Sequence, residues 1–350
     1  MTSAEALLLS RADVAASLSL DACIAAVEHA FRLAGEGRAD SPGILGFHAR
    51  DGGFHIKAAL LDLSRPYFAA KLNGNFSGNR ERFGLPTIQG VIALFDGENG
   101  RPLAIMDSIE ITLLRTAAAT AVAAKYLARP DSTVAFLCGC GAQGRAQLRA
   151  LTRILPIARA HVFDLDPEAA KRLSRELQGE LGIEIVPTAD PGRILRQCDV
   201  AVTCTTSRRA FVKSEEVPPG LFLAAVGADS AGKQELEPEI LGRGRLVVDS
   251  RDQCATIGEL HHALQVGVCR SVSDVAELAE VVAGTKPGRQ TLEEVAVFDS
   301  TGVALEDVAS AAAAYEEAVR MGRGQVWPIA GSTRRIEAAR EEPPLLMDLG

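Results

Sequence analysis

Val134-Ala135-Phe136-Leu137-Cys138-Gly139-Cys140-Gly141-Ala142-Gln143-Gly144, within the longer span from Asp131 to Asp166, is the stretch whose reading decides the fold. Val134 to Cys138 reads as a strand, and a helical segment runs from the glycines to about Leu155. A second apolar run, Ala160 to Phe163, ends in Asp164, twenty positions after Gly144. A bare G-x-G-x-x-G is weak evidence. With a strand before it, a helix after it and an acid at that distance, it becomes the dinucleotide-binding pattern of a βαβ unit. Gly139 permits the tight turn, Gly141 lets the main chain approach a pyrophosphate, and Gly144 lets helix and strand pack closely. The helix start, with Ala142 and Gln143, offers free N–H groups and a positive dipole end to phosphates. Asp164 is placed to accept hydrogen bonds from an adenosine ribose. Asp164, Leu165 and Asp166 put negative charge where a further phosphate would sit, so NAD is expected, with NADP the alternative.

Downstream, strand patterns at 160–164, 183–187, 199–204, 221–226 and 245–249 alternate with helices such as 167–178. That alternation predicts an α/β fold with a doubly wound, Rossmann-type parallel sheet. Thr205, after the strand at 199–204, is counted with the cofactor site. The region 256–284 reads as mostly helical. Val295 to Phe298 is a last strand, leading into Asp299-Ser300-Thr301-Gly302 and a helix from about 305 to 321. The tail after Gly324, rich in Pro, Glu and Arg, is expected to be partly mobile or to wrap a neighbour.

Upstream, Glu110 to Leu127 is an alanine-rich helix ended by Pro130, and it reads as a connector between domains. It carries Arg115 among apolar neighbours, where an arginine needs an anionic partner, either a ligand or an internal acid. Residues 40–106 are strand-rich, with Gly53 to Ala59, Tyr67 to Leu72, Ile88 to Phe95 and Leu103 to Met106 as strands. An amphipathic helix precedes them.

The chain has 350 residues, 47% of them hydrophobic and 23% charged, with a net charge of -8. This is the profile of a globular protein of two domains. No basic patch points to nucleic acid. No apolar run is long enough for a membrane span, and no secretory signal is seen, so a cytoplasmic protein is expected. Seven cysteines, mostly within apolar runs, fit reduced buried thiols. Cys138 and Cys140 lack the second pair that zinc requires, so no metal is expected. His261-His262 reads as a pair on a helix surface.

Taken together, several stretches resemble the ornithine cyclodeaminase/mu-crystallin family. They are Lys71-Leu72-Asn73 through Asn79, Gly84-Leu85-Pro86-Thr87, Leu103 to Asp107, Leu114-Arg115-Thr116-Ala117-Ala118, the glycine loop, Gly227-Ala228-Asp229-Ser230-Ala231-Gly232-Lys233, and Phe298 to Gly302. The resemblance covers residues 40 to 322. It implies a substrate-binding and dimerisation domain (1–117 with 306–350), a Rossmann-type NAD-binding domain (118–305), and a homodimer. It also implies chemistry at the Cα of a small amino or imino acid. By the same resemblance Lys71 and Arg115 hold the substrate carboxylate, which would aim the Cα hydrogen at the nicotinamide. The resemblance also implies that Thr87 lies close to substrate or nicotinamide, that Asp229 handles the amino-group proton, and that Ser300 and Thr301 line the nicotinamide carboxamide. Asp229 and Lys71 are the catalytic candidates. Asp229 also follows a strand end of the doubly wound sheet, where such sheets bind ligands.

The chain departs from the cyclodeaminases of that family before Lys71. His55 stands where they carry a glutamate, Lys57 where they carry a methionine, and Gly43-Ile44-Leu45 near the place of an arginine. Lys57 is therefore expected to replace that cation. Without the glutamate, a single hydride transfer is favoured: ketimine reduction or amino-acid dehydrogenation. An ornithine- or lysine-type cyclodeaminase is the alternative, and a nonenzymatic mu-crystallin-like binding protein the third reading.

Overall fold

Side-chain alternation along residues 52–96 builds the first of two sheets, and hydrophobic runs after residue 133 build the second. The computed structural model describes residues 5–41, 43–230 and 232–329. Its strands are β1 (Ala6–Leu9), β2 (Ala39–Asp40), β3 (Ile44–Ala49), β4 (Gly52–Asp62), β5 (Pro66–Asn75), β6 (Ile88–Asp96), β7 (Pro102–Asp107), β8 (Val134–Cys138) and β9 (Arg159–Phe163). They continue as β10 (Glu184–Pro187), β11 (Val200–Thr203), β12 (Arg208–Val212), β13 (Phe222–Ala225), β14 (Gln234–Leu236), β15 (Arg245–Val248), β16 (Ala276–Glu277), β17 (Ala296–Asp299) and β18 (Gln325–Trp327). The helices are α1 (Arg11–Ser17), α2 (Leu20–Gly35), α3 (Asn79–Phe83), α4 (Ser108–Leu127), α5 (Ala142–Ile154), α6 (Pro167–Leu181), α7 (Pro191–Leu195), α8 (Arg251–Ile257), α9 (Glu259–Gln265), α10 (Leu278–Val282) and α11 (Ala304–Met321).

The first sheet runs β18-β1-β7-β6-β5-β4-β2, with β3 on the edge of β4. Strands β4, β5 and β6 are antiparallel neighbours, with Lys57 opposite Lys71 and Lys71 opposite Ile92. Because side chains alternate, one face carries Lys57, Ala59, Leu61, Tyr67, Ala69, Lys71, Ile92 and Leu94. Apart from the half-buried Lys57, all of these are buried, and α11 packs over β4 and β5. The other face carries Phe54, Leu60, Leu72 and Val91, all exposed.

The second sheet runs β10-β9-β8-β11-β13-β17-β15-β16 and is parallel throughout. Strand β8 lies between β9 and β11, so the chain reverses its direction of travel there. The crevice past the carboxyl ends of β8 and β11 is thus the ligand position of a doubly wound sheet. Helix α4 touches α2 and α11 on one side and α5, β13 and β17 on the other. Its alanines 117–119, 121, 123 and 124 are buried, and small side chains permit that close contact. Asp107 caps it, accepting from Ile109 and Glu110, so the helix begins two residues before the expected start.

Three features were not foreseen. Strands β12 and β14 form a separate two-stranded pair, and β12 opens with two exposed arginines, which hide it from a hydrophobic pattern. The stretch 256–284 is broken by the two-residue strand β16. Strand β18 returns to pair with β1. The expectation for the tail beyond residue 329 lies outside the described residues. Among the described residues no single helix is long and apolar enough to cross a membrane.

Candidate active site

The glycine loop has the geometry its sequence requires. Gly139 has φ +103°, and a Cβ there would lie 2.8 Å from the Cys204 carbonyl oxygen. A Cβ on Gly144 would lie 2.0 Å from the Gly139 carbonyl oxygen, so helix and turn meet only without one. Gly141 has open space beside it and is the N-cap of α5, with no side chain bonded to the helix start. Ala142 is exposed and Gln143 half-buried, with the Gln143 Nε2 lacking a partner. Asp164 accepts from the Cys140 N–H at 2.7 Å and the Asp166 N–H at 2.9 Å, which fixes its carboxylate beside the loop. An open glycine step, unpaired helix N–H groups and a fixed acid at the next strand end fit an NAD molecule.

Four buried charges lie where α4 and α11 meet the first sheet. Lys71 Nζ is 2.6 Å from Asp307 Oδ2. Arg115 reaches Glu306 Oε2 at 2.8 Å through Nη1 and Asp307 Oδ1 at 3.1 Å through Nε. Glu306 and Asp307 stand in the first turn of α11, where the helix dipole favours anions. Burial pulls Lys71 down to about 7. Burial also pushes Glu306 up to about 7, against the pull of Arg115. Asp307 feels the same burial, but Lys71 and Arg115 outweigh it and hold the carboxyl below the usual range. For Arg115, burial opposes the charge, and Asp307 and Glu306 more than restore it.

Gly302 lies in the turn that joins β17 of the second sheet to α11. It has φ +76°, and a Cβ would lie 2.4 Å from Arg115 Nη1, so the guanidinium packs directly on its backbone. Lys57 Nζ donates to the carbonyls of Gly302 (2.6 Å) and Thr301 (3.2 Å). Burial, then the charge of Arg115, lowers the Lys57 ammonium. Ser300 and Thr301 are buried, and their hydroxyls donate to Asp249 at 3.2 and 3.0 Å. Asp249 also accepts the N–H groups of Thr301 (2.7 Å) and Gly302 (2.6 Å), and Gln253 donates to Thr301 Oγ1 at 2.7 Å.

Asp229 lies past the end of β13, half exposed, with Lys233 Nζ at 2.5 Å. Its charge favours the protonated forms of His55 and Lys57 of β4. Burial and then Lys57 lower His55. Thr205 donates its N–H to the buried Glu235 at 2.7 Å. Thr87 is exposed, and its carbonyl accepts from Phe76 at 2.9 Å. The structure thus brings Lys57 and Arg115 onto the turn at Gly302 and Lys71 onto Asp307 beside Arg115, while Asp229 is paired with Lys233. It sets the glycine loop and Asp164 apart at the ends of β8 and β9.

Sequence reasoning missed Asp249, Glu306, Asp307 and Glu235. The lone arginine in the alanine-rich helix signalled an acid but not which one. Acids at a helix start read as ordinary dipole partners. His261 and His262 sit half-buried on α9, each bonded to a carbonyl, of Ala255 (3.0 Å) and Lys233 (2.9 Å). Among the described residues there is no cluster of three or more metal-ligating side chains, and the cysteines are free.

The chain matches the ornithine cyclodeaminase/mu-crystallin family model over residues 4–322. It is 40% identical over 321 residues to an alanine dehydrogenase of Archaeoglobus fulgidus, covering 91% of this chain and 97% of that one. Among solved structures it resembles an archaeal alanine dehydrogenase dimer with bound NAD (TM-score 0.88, 40% identity, 92% and 99% of the two chains). It also resembles the Thermococcus litoralis Δ1-pyrroline-2-carboxylate reductase in complex with NADH and L-proline (TM-score 0.87, 35% identity, 91% and 99% covered).

Proposed function

Since the chain belongs to the ornithine cyclodeaminase/mu-crystallin family, we propose that it is an NAD-dependent oxidoreductase acting at the Cα of a small amino acid or its imine. The observation that carries this is that Lys57 of β4 and Arg115 of α4 both lie on the turn at Gly302, with Lys71 of β5 beside Arg115 on the shared carboxylate of Asp307. The relatives above, an alanine dehydrogenase and a pyrroline-2-carboxylate reductase, are of the same activity class.

Bound nicotinamide supplies or accepts the hydride at Cα. This chain's residues do the rest. Arg115 and Lys71 are held by Glu306 and Asp307, so both side chains are fixed before a ligand arrives. Lys57 is tied to neutral carbonyls, and its charge is the one a substrate carboxylate would draw on. Asp229 exchanges a proton with the substrate nitrogen, with Lys233 holding its carboxylate. A basic substrate finds His55 and Lys57 on the wall where a distal ammonium would need an anion.

The glycine loop, Ala142, Gln143, Asp164 and Thr205 are the proposed NAD contacts, with Ser300 and Thr301 shaping the nicotinamide end. Thr87 is assigned to the substrate rim. The division into a substrate-binding and dimerisation part (1–117 with 306–350) and a cofactor part (118–305) belongs to the same proposal. So do a cytoplasmic setting and a homodimer through the exposed apolar face of β4, β5 and β6.

The test is a screen of amino acids with NAD and of imines with NADH, followed by nicotinamide absorbance. Turnover with a net absorbance change is expected, with NAD bound more tightly than NADP. Ammonia release from ornithine or lysine with no net absorbance change would move the chain to the cyclodeaminases.

A further inference from the structure

The loops that leave β11 and β13 at the cofactor edge are joined by one carboxylate. Glu235, in β14, is fully buried. Its Oε1 accepts the Thr205 N–H at 2.7 Å. Its Oε2 accepts the Gly227 N–H at 2.9 Å and the Thr203 hydroxyl at 2.7 Å. These donors are neutral, and together they satisfy a carboxylate that burial pushes toward protonation. The contact at Gly227 is close. A Cβ there would lie 2.5 Å from Glu235 Cδ and 2.5 Å from the Thr205 carbonyl oxygen.

Helix α9 holds Glu235 in turn. Glu259 accepts the N–H groups of Glu235 (2.7 Å) and Leu236 (3.3 Å). His262, on the next turn, bonds the Lys233 carbonyl, and Lys233 pairs with Asp229. The Asp229 loop is thus gripped at both ends, at Gly227 and at Lys233, from one rigid support.

We propose that Glu235 is a positioning residue that sets the distance between the Thr205 loop on the cofactor side and the Asp229 loop on the substrate side. Asp229 is thereby presented to the substrate nitrogen at the level of the nicotinamide. The proposal rests on the role given to Asp229 above. Glu235 touches neither substrate nor cofactor, and it acts through the two N–H groups it accepts.

The experiment compares the full-length wild type with Glu235→Gln and Gly227→Ala. Glutamine keeps the volume but turns an amide –NH2 toward an N–H donor, which displaces the one group on which both loops are held and so loosens both. The alanine pushes on the same carboxylate from the other side, and it serves if Glu235→Gln does not fold. Hydrogen exchange of residues 203–208 and 226–233 is measured with NADH affinity and steady-state imine reduction. Faster exchange in both loops, unchanged exchange in α5, and a kcat about 10²-fold lower with little change in KM are expected, the effect of a shift of roughly 1 Å. Unchanged exchange in either loop of a folded variant overturns the proposal. So does faster exchange with wild-type kcat, which makes Glu235 structural only. A wild type that binds NADH but reduces no imine overturns the assigned activity instead. In that case, exchange that rises in both loops together still supports the link made by Glu235, and unchanged exchange still overturns it.

Discussion

Lys57 and Lys71 face each other across adjacent antiparallel strands, yet they end on different kinds of partner. Lys71 lies against a carboxylate, Asp307, at 2.6 Å. Lys57 lies on the carbonyls of Gly302 and Thr301 at 2.6 and 3.2 Å. Two like charges in register repel, so the one without a carboxylate gains most from an anionic ligand.

Lys57→Met removes that gain. The affinity for a substrate carboxylate is expected to fall about 10- to 100-fold, the worth of a charge-assisted hydrogen bond of ~1.5–3 kcal/mol. NADH affinity is expected to hold. Titration of a carboxylate ligand into the NADH complex checks this, and an unchanged dissociation constant removes Lys57 from the site.

Arg115→Met leaves Glu306 and Asp307 buried without their guanidinium. Breaking a buried pair in this way costs about 3–5 kcal/mol. Glu306→Gln costs far less, about 1 kcal/mol, because burial already pushes that carboxyl up to about 7. Urea unfolding of both variants measures the difference. An Arg115→Met variant as stable as Glu306→Gln would show that the acids do not depend on the arginine.

Asp299 titrates in the folded state at about 7, against 3.8 for a free side chain, because it is buried. Its Oδ2 accepts from Leu260 at 2.9 Å, while its Oδ1 has no partner. A raised carboxyl contributes stability that is fully present below pH 3.8 and is lost as pH rises through about 7. Asp299→Asn mimics the neutral form and is expected to flatten that decline by a few kcal/mol, since each tenfold gain in proton affinity is worth roughly 1.4 kcal/mol. Thermal unfolding of both proteins from pH 4 to pH 8 reads the difference. Parallel curves would mean that Asp299 ionises normally.

Leu72→Glu puts a charge in the middle of the exposed apolar face formed with Phe54, Leu60 and Val91. A monomer of native secondary structure is expected by light scattering after size exclusion, because an unpaired charge at an apolar contact is costly. A dimer unaffected by the change would place the interface on another surface.

Much of the fold was legible in the chain. Apart from β16, the strands of the second sheet lie within a residue or two of their expected bounds, since continuous apolar runs mark strands buried on both faces. Period-two alternation pairs His55 with Lys57 and Lys71 with Asn73, and the register of β4 against β5 brings the two pairs to one face. The polar strand β12 and the two-residue β16 carry no such pattern and were not foreseen. Glu235 and Glu259 accept main-chain N–H groups inside the core, and nothing local in the sequence distinguishes such carboxylates from surface acids.

The sequence by itself determined the cofactor half: turn, helix start and acid lie within some thirty residues, and their spacing is dictated by the geometry of one βαβ unit. Only the tertiary structure decided what Lys71 and Arg115 meet. Their partners are 236 and 191 residues away, on the first turn of α11. That pairing follows from how two sheets pack around α4 and α11, which no short-range pattern encodes. Folding fixed the same choice for Lys57, leaving it on neutral carbonyls beside two neutralised cations.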